Sequence, residues 1–108
     1  MGIFSFLTKN KVTAVSVNDI ERLIGKINLI DIRENYEYKS GHLPTAKNIP
    51  MDKLLESPER YLDASKEYHI ICQSGGRSSG TCRKLKSKGF NIINIAGGTG
   101  SYRGKLKK

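Results

Sequence analysis

The sequence predicts a single α/β domain with a central, mostly parallel sheet and helices on both faces. The chain has 108 residues, a length that suits one domain. Hydrophobic residues make up 37% and charged residues 27%, which provides enough apolar side chains for a core. Short apolar runs alternate with helical patterns, and strands separated by helices form parallel sheets.

Strands and helical segments alternate along the first half of the chain. Apolar Ile20, Leu23 and Ile24 recur at helical spacing, so we expect a helix that Asn18 caps and Gly25 ends. The other elements predicted there are a strand closing at Val15 and Val17, a strand at 27–32, helical turns at 34–39, a strand at 46–49, and helical structure at 51–62 with a restart at Pro58.

The second half has clearer elements. They are a strand at 68–71, a turn-rich segment at 73–76, a helix at 77–88 with Gly89 at its end, a strand at 91–95 and a turn at 97–98. The inward face of the helix is predicted to hold Ser78, Thr81 or Cys82, and Leu85. Ligands bind beyond the carboxyl ends of parallel strands, and Cys72 stands at such an end.

The net charge of +9 lies entirely in the last part of the chain. Residues 1–67 hold ten basic and ten acidic side chains, whereas residues 68–108 hold nine basic ones and no acid. Such a field attracts anions, so a small oxyanion or an acidic protein surface is the expected partner. Nucleic acid is not expected, because no aromatic side chains are interleaved with the lysines.

The sequence carries no sign of a membrane span or of secretion. No apolar run reaches the roughly 18 residues that a membrane-spanning helix needs. The apolar segment at 2–7 is too short for a signal-peptide core, and Phe6 departs from the acylation pattern. We therefore expect a cytoplasmic monomer, divided into an N-terminal tail at 1–11, the domain at 12–104 and a basic C-terminal tail at 105–108.

The cysteines are expected to be reduced, and no cofactor is expected. Two cysteines cannot form a disulfide framework, and with His42 and His69 they show no paired spacing of metal ligands. We interpret Cys82 as a buried structural thiol. The alternative is a resolving cysteine that forms a disulfide with an oxidised or persulfidated Cys72.

Residues 72–78 place a thiol between a strand and the start of a helix. Gly75 and Gly76 let successive backbone N–H groups point inward as an anion-binding nest, and the helix N-terminus adds partial positive charge. Arg77 is the only charged side chain in the segment, and its planar fork matches an oxyanion. We expect these features to lower the pKa of Cys72 and to leave a nucleophilic thiolate near neutral pH.

Four blocks of the sequence form a pattern that extends from Val15 to Arg103. The blocks are residues 31–33 with 37–38, residues 41–50, residues 72–78, and residues 97–98 with Tyr102. The pattern resembles the rhodanese family of single-domain sulfurtransferases, and it implies a rhodanese-like domain. Thr99 and Tyr102 stand where the family often has Met and Trp. Tyr102 is expected either to cover the mouth of the site or to pack in the core.

The resemblance implies that Cys72 attacks the sulfane sulfur of thiosulfate or of a persulfide and then carries it as a persulfide. The acceptor would be cyanide in an assay, and a thiol such as reduced thioredoxin or glutathione in a cell. The implied substrate loop comprises Gln73, Ser74, Gly75, Gly76, Arg77 and Ser78. Asp31 and Arg33 are expected to support the site structurally, and His42 to hydrogen-bond the backbone of its own loop.

Two other functions remain open from the sequence. Phosphatases and arsenate reductases that resemble this fold carry five residues between Cys and Arg, whereas four separate Cys72 from Arg77 here. That count favours sulfur transfer. A sulfur carrier or docking module, which would present its basic C-terminal half to an acidic protein, fits the same loop.

Overall fold

A five-stranded sheet, all of whose paired strands run parallel, forms the centre of the computed structural model, which describes residues 12–108. The strands are β1 (Thr13–Ser16), β2 (Asn28–Asp31), β3 (Lys47–Asn48), β4 (Glu67–Ile71) and β5 (Asn91–Ala96), in the spatial order β1-β5-β4-β2-β3. The α-helices are α1 (Asn35–Ser40), α2 (Met51–Glu56) and α3 (Gly76–Ser87). The α/β class predicted from the sequence is confirmed.

Alternate side chains of the strands feed two hydrophobic cores, one on each face of the sheet. The first core contains Ile30, Ile70, Cys72 and Ile92 of the strands and their ends, with Leu54 of α2 and Cys82 and Leu85 of α3. The second core contains Leu29, Ile71 and Ile95, with Val17, Ile20, Leu43 and Tyr38 of α1. Both faces are therefore covered, as apolar strands of a parallel sheet require.

Helix α3 matches its prediction closely. It runs from Gly76 to Ser87, and Gly89 follows with a φ of 97°. Its buried positions are Ser78, Thr81, Cys82 and Leu85. These are the positions that the apolar spacing predicted, and they place Cys82 in the same core as Cys72.

The prediction of a helix after Asn18 is wrong. Residues 17–23 form two 3₁₀ turns, Val17–Asp19 and Glu21–Leu23, and Ser16 caps the first one. The Asn18 amide instead holds a distant segment, because its Nδ2 donates to the Ser101 carbonyl at 2.9 Å and its Oδ1 accepts from the Arg103 N–H at 2.9 Å. These tertiary hydrogen bonds override the local capping preference.

The segment at 51–62 is helical only in part. Helix α2 ends at Glu56, and a separate 3₁₀ turn runs from Pro58 to Arg60 with proline in its first turn. The predicted restart at Pro58 is therefore present. Ser57 between them has φ −146° and ψ 70°, a conformation that is not helical.

Residues 105–108, predicted as a tail, are attached to the domain. The Lys107 N–H donates to the His42 carbonyl at 2.8 Å, and the His42 N–H donates to the Lys107 carbonyl at 2.9 Å. Leu106 packs against the second core. The chain therefore stays part of the fold beyond residue 104.

The predicted N-terminal tail, including the apolar segment at 2–7, lies outside the described residues. Within residues 12–108, no helix has both the length and the apolar character needed to cross a membrane.

Candidate active site

The site is built where the central strand meets the N-terminus of α3. Cys72 follows β4 directly, and Gly75 caps α3 with a φ of 103°, a conformation that favours glycine. A Cβ atom at Gly75 would lie 3.3 Å from the Gly97 nitrogen, so a larger residue would also be crowded. The Cys72 side chain is buried beneath this turn.

Three groups of the loop contact the Cys72 sulfur. The Gly75 N–H donates to Sγ at 3.1 Å, the Ser78 N–H donates at 3.2 Å, and the Ser78 Oγ lies 3.3 Å away. In the thiol form the S–H donates to Ser78 Oγ, and that hydroxyl donates to the Gly75 carbonyl at 3.2 Å. When the thiol ionises, rotation of the hydroxyl provides a third donor to the sulfur.

These contacts determine the ionisation of Cys72. Burial acts to raise its pKa, but the Ser78 hydroxyl and the backbone N–H groups of Ser78, Gly75 and Ser74 together outweigh burial. The pKa is therefore lowered from its ordinary value of 9.0. Hydrogen bonding to the charged form of a group produces a shift in this direction.

Cys82 differs from Cys72 although the two side chains share one core. Burial raises the pKa of Cys82 to about 12, and its Sγ lies 4.0 Å from the Asn94 Oδ1. A thiol that stays protonated is a poor nucleophile. The structural interpretation of Cys82 is therefore favoured over a resolving role.

A buried ion pair joins three of the sequence blocks. The Arg33 guanidinium donates to the Asp31 carboxylate, with Nη2 at 2.9 Å from Oδ2, and both side chains are almost fully buried. The same guanidinium donates to the Gly41 carbonyl at 2.7 Å and to the Gln73 Oε1 at 3.0 Å. Arg33, held by Asp31, thus bonds the side chain of the first residue after the cysteine.

Asn48 is a supporting residue that the sequence analysis missed. Its Nδ2 donates to the Asp31 carbonyl at 3.0 Å and to the Arg33 carbonyl at 2.9 Å. It therefore fixes the end of β2 from the neighbouring strand β3. Only its place in the block at 41–50 marked it in the sequence.

His42 lies in the supporting part of the structure. Its Nδ1 is 2.8 Å from the Tyr38 carbonyl, and its ring stacks on the Tyr38 ring with centroids 3.7 Å apart. The expected hydrogen bond to backbone is present, although its partner belongs to α1. Its backbone also forms the bridge to Lys107.

Arg77 is placed differently from the expectation. Its Nη1 and Nη2 each lie 3.0 Å from an oxygen of Glu37, in a two-pronged ion pair. The hydrogen bond to Glu37 raises the pKa of Arg77, and the hydrogen bond to Arg77 lowers the pKa of Glu37. The guanidinium expected to meet an oxyanion is thus neutralised by a carboxylate 40 residues earlier.

The Gly-Gly block supports the back of the loop. The Thr99 N–H donates to the Cys72 carbonyl at 2.8 Å, and the Gly100 N–H donates to the Gln73 carbonyl at 2.9 Å. Gly98 has a φ of 65°, and a Cβ atom there would lie 2.5 Å from both of those carbonyl oxygens. The backbone of the loop and that of the block therefore pack directly on each other.

Tyr102 takes the second of its two expected positions. Its side chain packs against the second core, and its hydroxyl donates to the Glu21 Oε1 at 3.2 Å. The aromatic residue of the last block thus contributes to packing.

The fold and the site together define an α/β protein with a buried cysteine whose sulfur accepts backbone N–H groups at a helix N-terminus. Comparison with known proteins gives the family. A sequence model of the rhodanese-like domain matches residues 16–105, and the chain belongs to that family.

Two proteins of Bacillus subtilis (strain 168) are among its curated relatives. "Putative sulfurtransferase YtwF" is 42% identical over 79 residues, which cover 73% of this chain and 76% of the relative. "Putative sulfur carrier protein YrkF" is 36% identical over 82 residues, which cover 75% of this chain but 44% of the relative. The names of the relatives thus include both transfer and carriage of sulfur.

Solved structures share the fold. The protein SSP1007 from Staphylococcus saprophyticus has a TM-score of 0.79 at 28% identity, covering 90% of this chain and all of its own. A rhodanese-related protein from Thermoplasma volcanium has a TM-score of 0.75 at 29% identity, covering 83% of this chain and 89% of its own.

Substitution of Gly98 by alanine tests the packing behind the loop. We expect Gly98→Ala to lower the free energy of unfolding and the rate at which iodoacetamide alkylates Cys72, because the new methyl group collides with two carbonyls. Gly89→Ala is the matched control, since Gly89 also has a positive φ but has open space around its Cβ position. The free energy of unfolding of Gly89→Ala should fall only by the cost of the backbone strain, about 1–2 kcal/mol. Equal losses in both variants would contradict the packing account.

Substitution of Ser78 by alanine tests the hydroxyl beside the sulfur. We expect Ser78→Ala to shift the pH profile of Cys72 alkylation upward. At pH values below the wild-type midpoint the alkylation rate should fall about tenfold, the effect of losing one hydrogen bond of about 1.5 kcal/mol to a charged group. Ser79→Ala in the same helical turn is the control. A profile unchanged by Ser78→Ala would show that the hydroxyl does not stabilise the thiolate.

Proposed function

We propose that this protein is a rhodanese-type sulfurtransferase that moves sulfane sulfur from thiosulfate or a persulfide to a thiol or to cyanide through a Cys72 persulfide. The observation that carries the proposal is the Cys72 sulfur, which accepts two backbone N–H groups beside a buried hydroxyl. Such donors stabilise a sulfur-centred anion before and after transfer. Membership of the rhodanese-like family and a relative named as a sulfurtransferase support it.

The loading step needs only the thiolate. Cys72 attacks the outer sulfur of thiosulfate, a new S–S bond forms, and the original S–S bond breaks with its electron pair leaving on sulfite. The enzyme then holds a Cys72 persulfide anion. No general base is required when the thiol is already ionised, and the lowered pKa of Cys72 favours that state.

The unloading step returns the enzyme to its starting form. Cyanide or an acceptor thiolate attacks the outer sulfur, and Cys72 leaves as a thiolate that the Gly75 and Ser78 N–H groups stabilise. The products are thiocyanate or the persulfide of the acceptor. In a reducing compartment such as the cytoplasm, reduced thioredoxin or glutathione would provide the thiol.

A sulfur carrier is the second candidate. The similarity to a protein named as a sulfur carrier favours it. A carrier would take sulfur from one protein and present it to another, with the basic residues at 68–108 attracting an acidic partner. In that case the persulfide forms, but turnover with thiosulfate and cyanide is slow.

Intact-protein mass spectrometry tests the proposal. Brief incubation with thiosulfate, or with a small persulfide, should add one sulfur atom, roughly 32 Da, to the wild type, and cyanide should remove it. Cys82→Ser should gain the same mass, and Cys72→Ser should gain none. If neither donor loads the wild type, or if Cys72→Ser is loaded equally, the proposal is wrong.

A further inference from the structure

Two ion pairs lie beside the loop, and each pair of arginine and carboxylate has no net charge. Arg33 pairs with Asp31 in the core, and Arg77 pairs with Glu37 nearer the surface. The residues between Cys72 and Arg77 are uncharged. The Cys72 sulfur is therefore stabilised by N–H and O–H dipoles, while each cation beside it is balanced by a carboxylate.

The pair between Arg77 and Glu37 is attached to the helical turn that holds the sulfur. Arg77 is in the first turn of α3, one residue before Ser78, which contacts the Cys72 sulfur. Besides its bond to Glu37, Arg77 is attracted by the charge of Cys72, which also acts to raise the pKa of Arg77. A charge on Glu37 thus changes the potential that an approaching donor experiences.

Glu37 is firmly held in this position. One of its oxygens accepts the Glu34 N–H at 2.9 Å as part of the capping box of α1, and the same oxygen accepts from Arg77. Its side chain is 20% exposed and that of Arg77 is 38% exposed, so solvent screens the pair only in part. These hydrogen bonds therefore fix the position of the Glu37 carboxylate beside Arg77.

We propose that Glu37 sets the charge of the sulfur donor that this site prefers. By neutralising Arg77, it disfavours the doubly charged thiosulfate relative to sulfane donors that carry one negative charge or none, such as organic thiosulfonates and persulfides. The inference rests on the proposed sulfurtransferase function. Glu37 acts through Arg77 and has no contact with the reacting sulfur, so it is a specificity-determining residue and takes no chemical role.

Two donors of different charge test the inference. Thiosulfate carries two negative charges and methanethiosulfonate carries one, yet each delivers one sulfane sulfur. The leaving group is sulfite for thiosulfate and methanesulfinate for methanethiosulfonate. Loading rates of Cys72 with each donor are followed by intact mass. In Glu37→Gln, which keeps an oxygen to accept the Glu34 N–H, the ratio of the thiosulfate rate to the methanethiosulfonate rate should rise roughly three- to tenfold.

Control variants separate this effect from a general change in charge or structure. Glu59→Gln changes the net charge equally, on an exposed 3₁₀ turn outside the site, and should leave the ratio unchanged. Arg77→Gln should lower the ratio, because it leaves the Glu37 carboxylate unbalanced. The double variant Glu37→Gln with Arg77→Gln should return the ratio towards that of the wild type.

The outcomes distinguish the inference from the function on which it rests. If the wild type loads with both donors but Glu37→Gln changes the two rates by one common factor, Glu37 only positions Arg77 and the inference is wrong. If the wild type loads with neither donor, the sulfurtransferase proposal itself is wrong, and the inference with it. Addition of salt should reduce the difference between Glu37→Gln and the wild type, because screening weakens the charge effect.

Discussion

The Cys72 sulfur and the backbone N–H groups that it accepts are the interaction on which the rest of the site depends. A buried thiol would ordinarily stay protonated, as Cys82 does in the same core. At Cys72, the Ser78 hydroxyl together with the N–H groups of Ser78, Gly75 and Ser74 reverses that tendency. They can do so only because the chain turns sharply after β4 and enters α3 through a glycine with positive φ.

The surrounding structure keeps that turn in place from two sides. Behind it, the 97–100 segment bonds the carbonyls of Cys72 and Gln73 and leaves no space for a side chain at Gly98. Beside it, Arg33 connects Gln73 to Asp31 and to the Gly41 carbonyl. A local change at any of these contacts would therefore alter the positions of the donors, although none of these residues touches the sulfur.

The distribution of charge separates long-range attraction from local preference. All of the excess positive charge belongs to residues 68–108, which would attract anions and acidic proteins from a distance. Near the sulfur, however, Arg77 and Arg33 are each paired with a carboxylate. The overall charge of the chain is therefore a poor guide to the charge of the donor that reacts at Cys72.

Most of the fold could be predicted because its signals are local. The apolar runs of β2, β4 and β5 and the spacing along α3 are contained within single elements, and Cys72 and its loop are one continuous segment. The errors arise where a group bonds a residue far away in the sequence instead of the partner that the local pattern predicts. Asn18 bonds Ser101 and Arg103 instead of capping a helix, Glu37 takes Arg77, and Lys107 pairs with His42. No periodic pattern in the sequence records such pairings.

Ultraviolet titration of thiolate absorbance tests the central claim most directly. The difference between wild type and Cys72→Ser, recorded across the pH range, isolates the ionisation of Cys72 because Cys82 is common to both. The account predicts a single step with its midpoint below 9.0, the ordinary value for a cysteine. A midpoint at or above that value would contradict it, because the loop donors would then fail to outweigh burial.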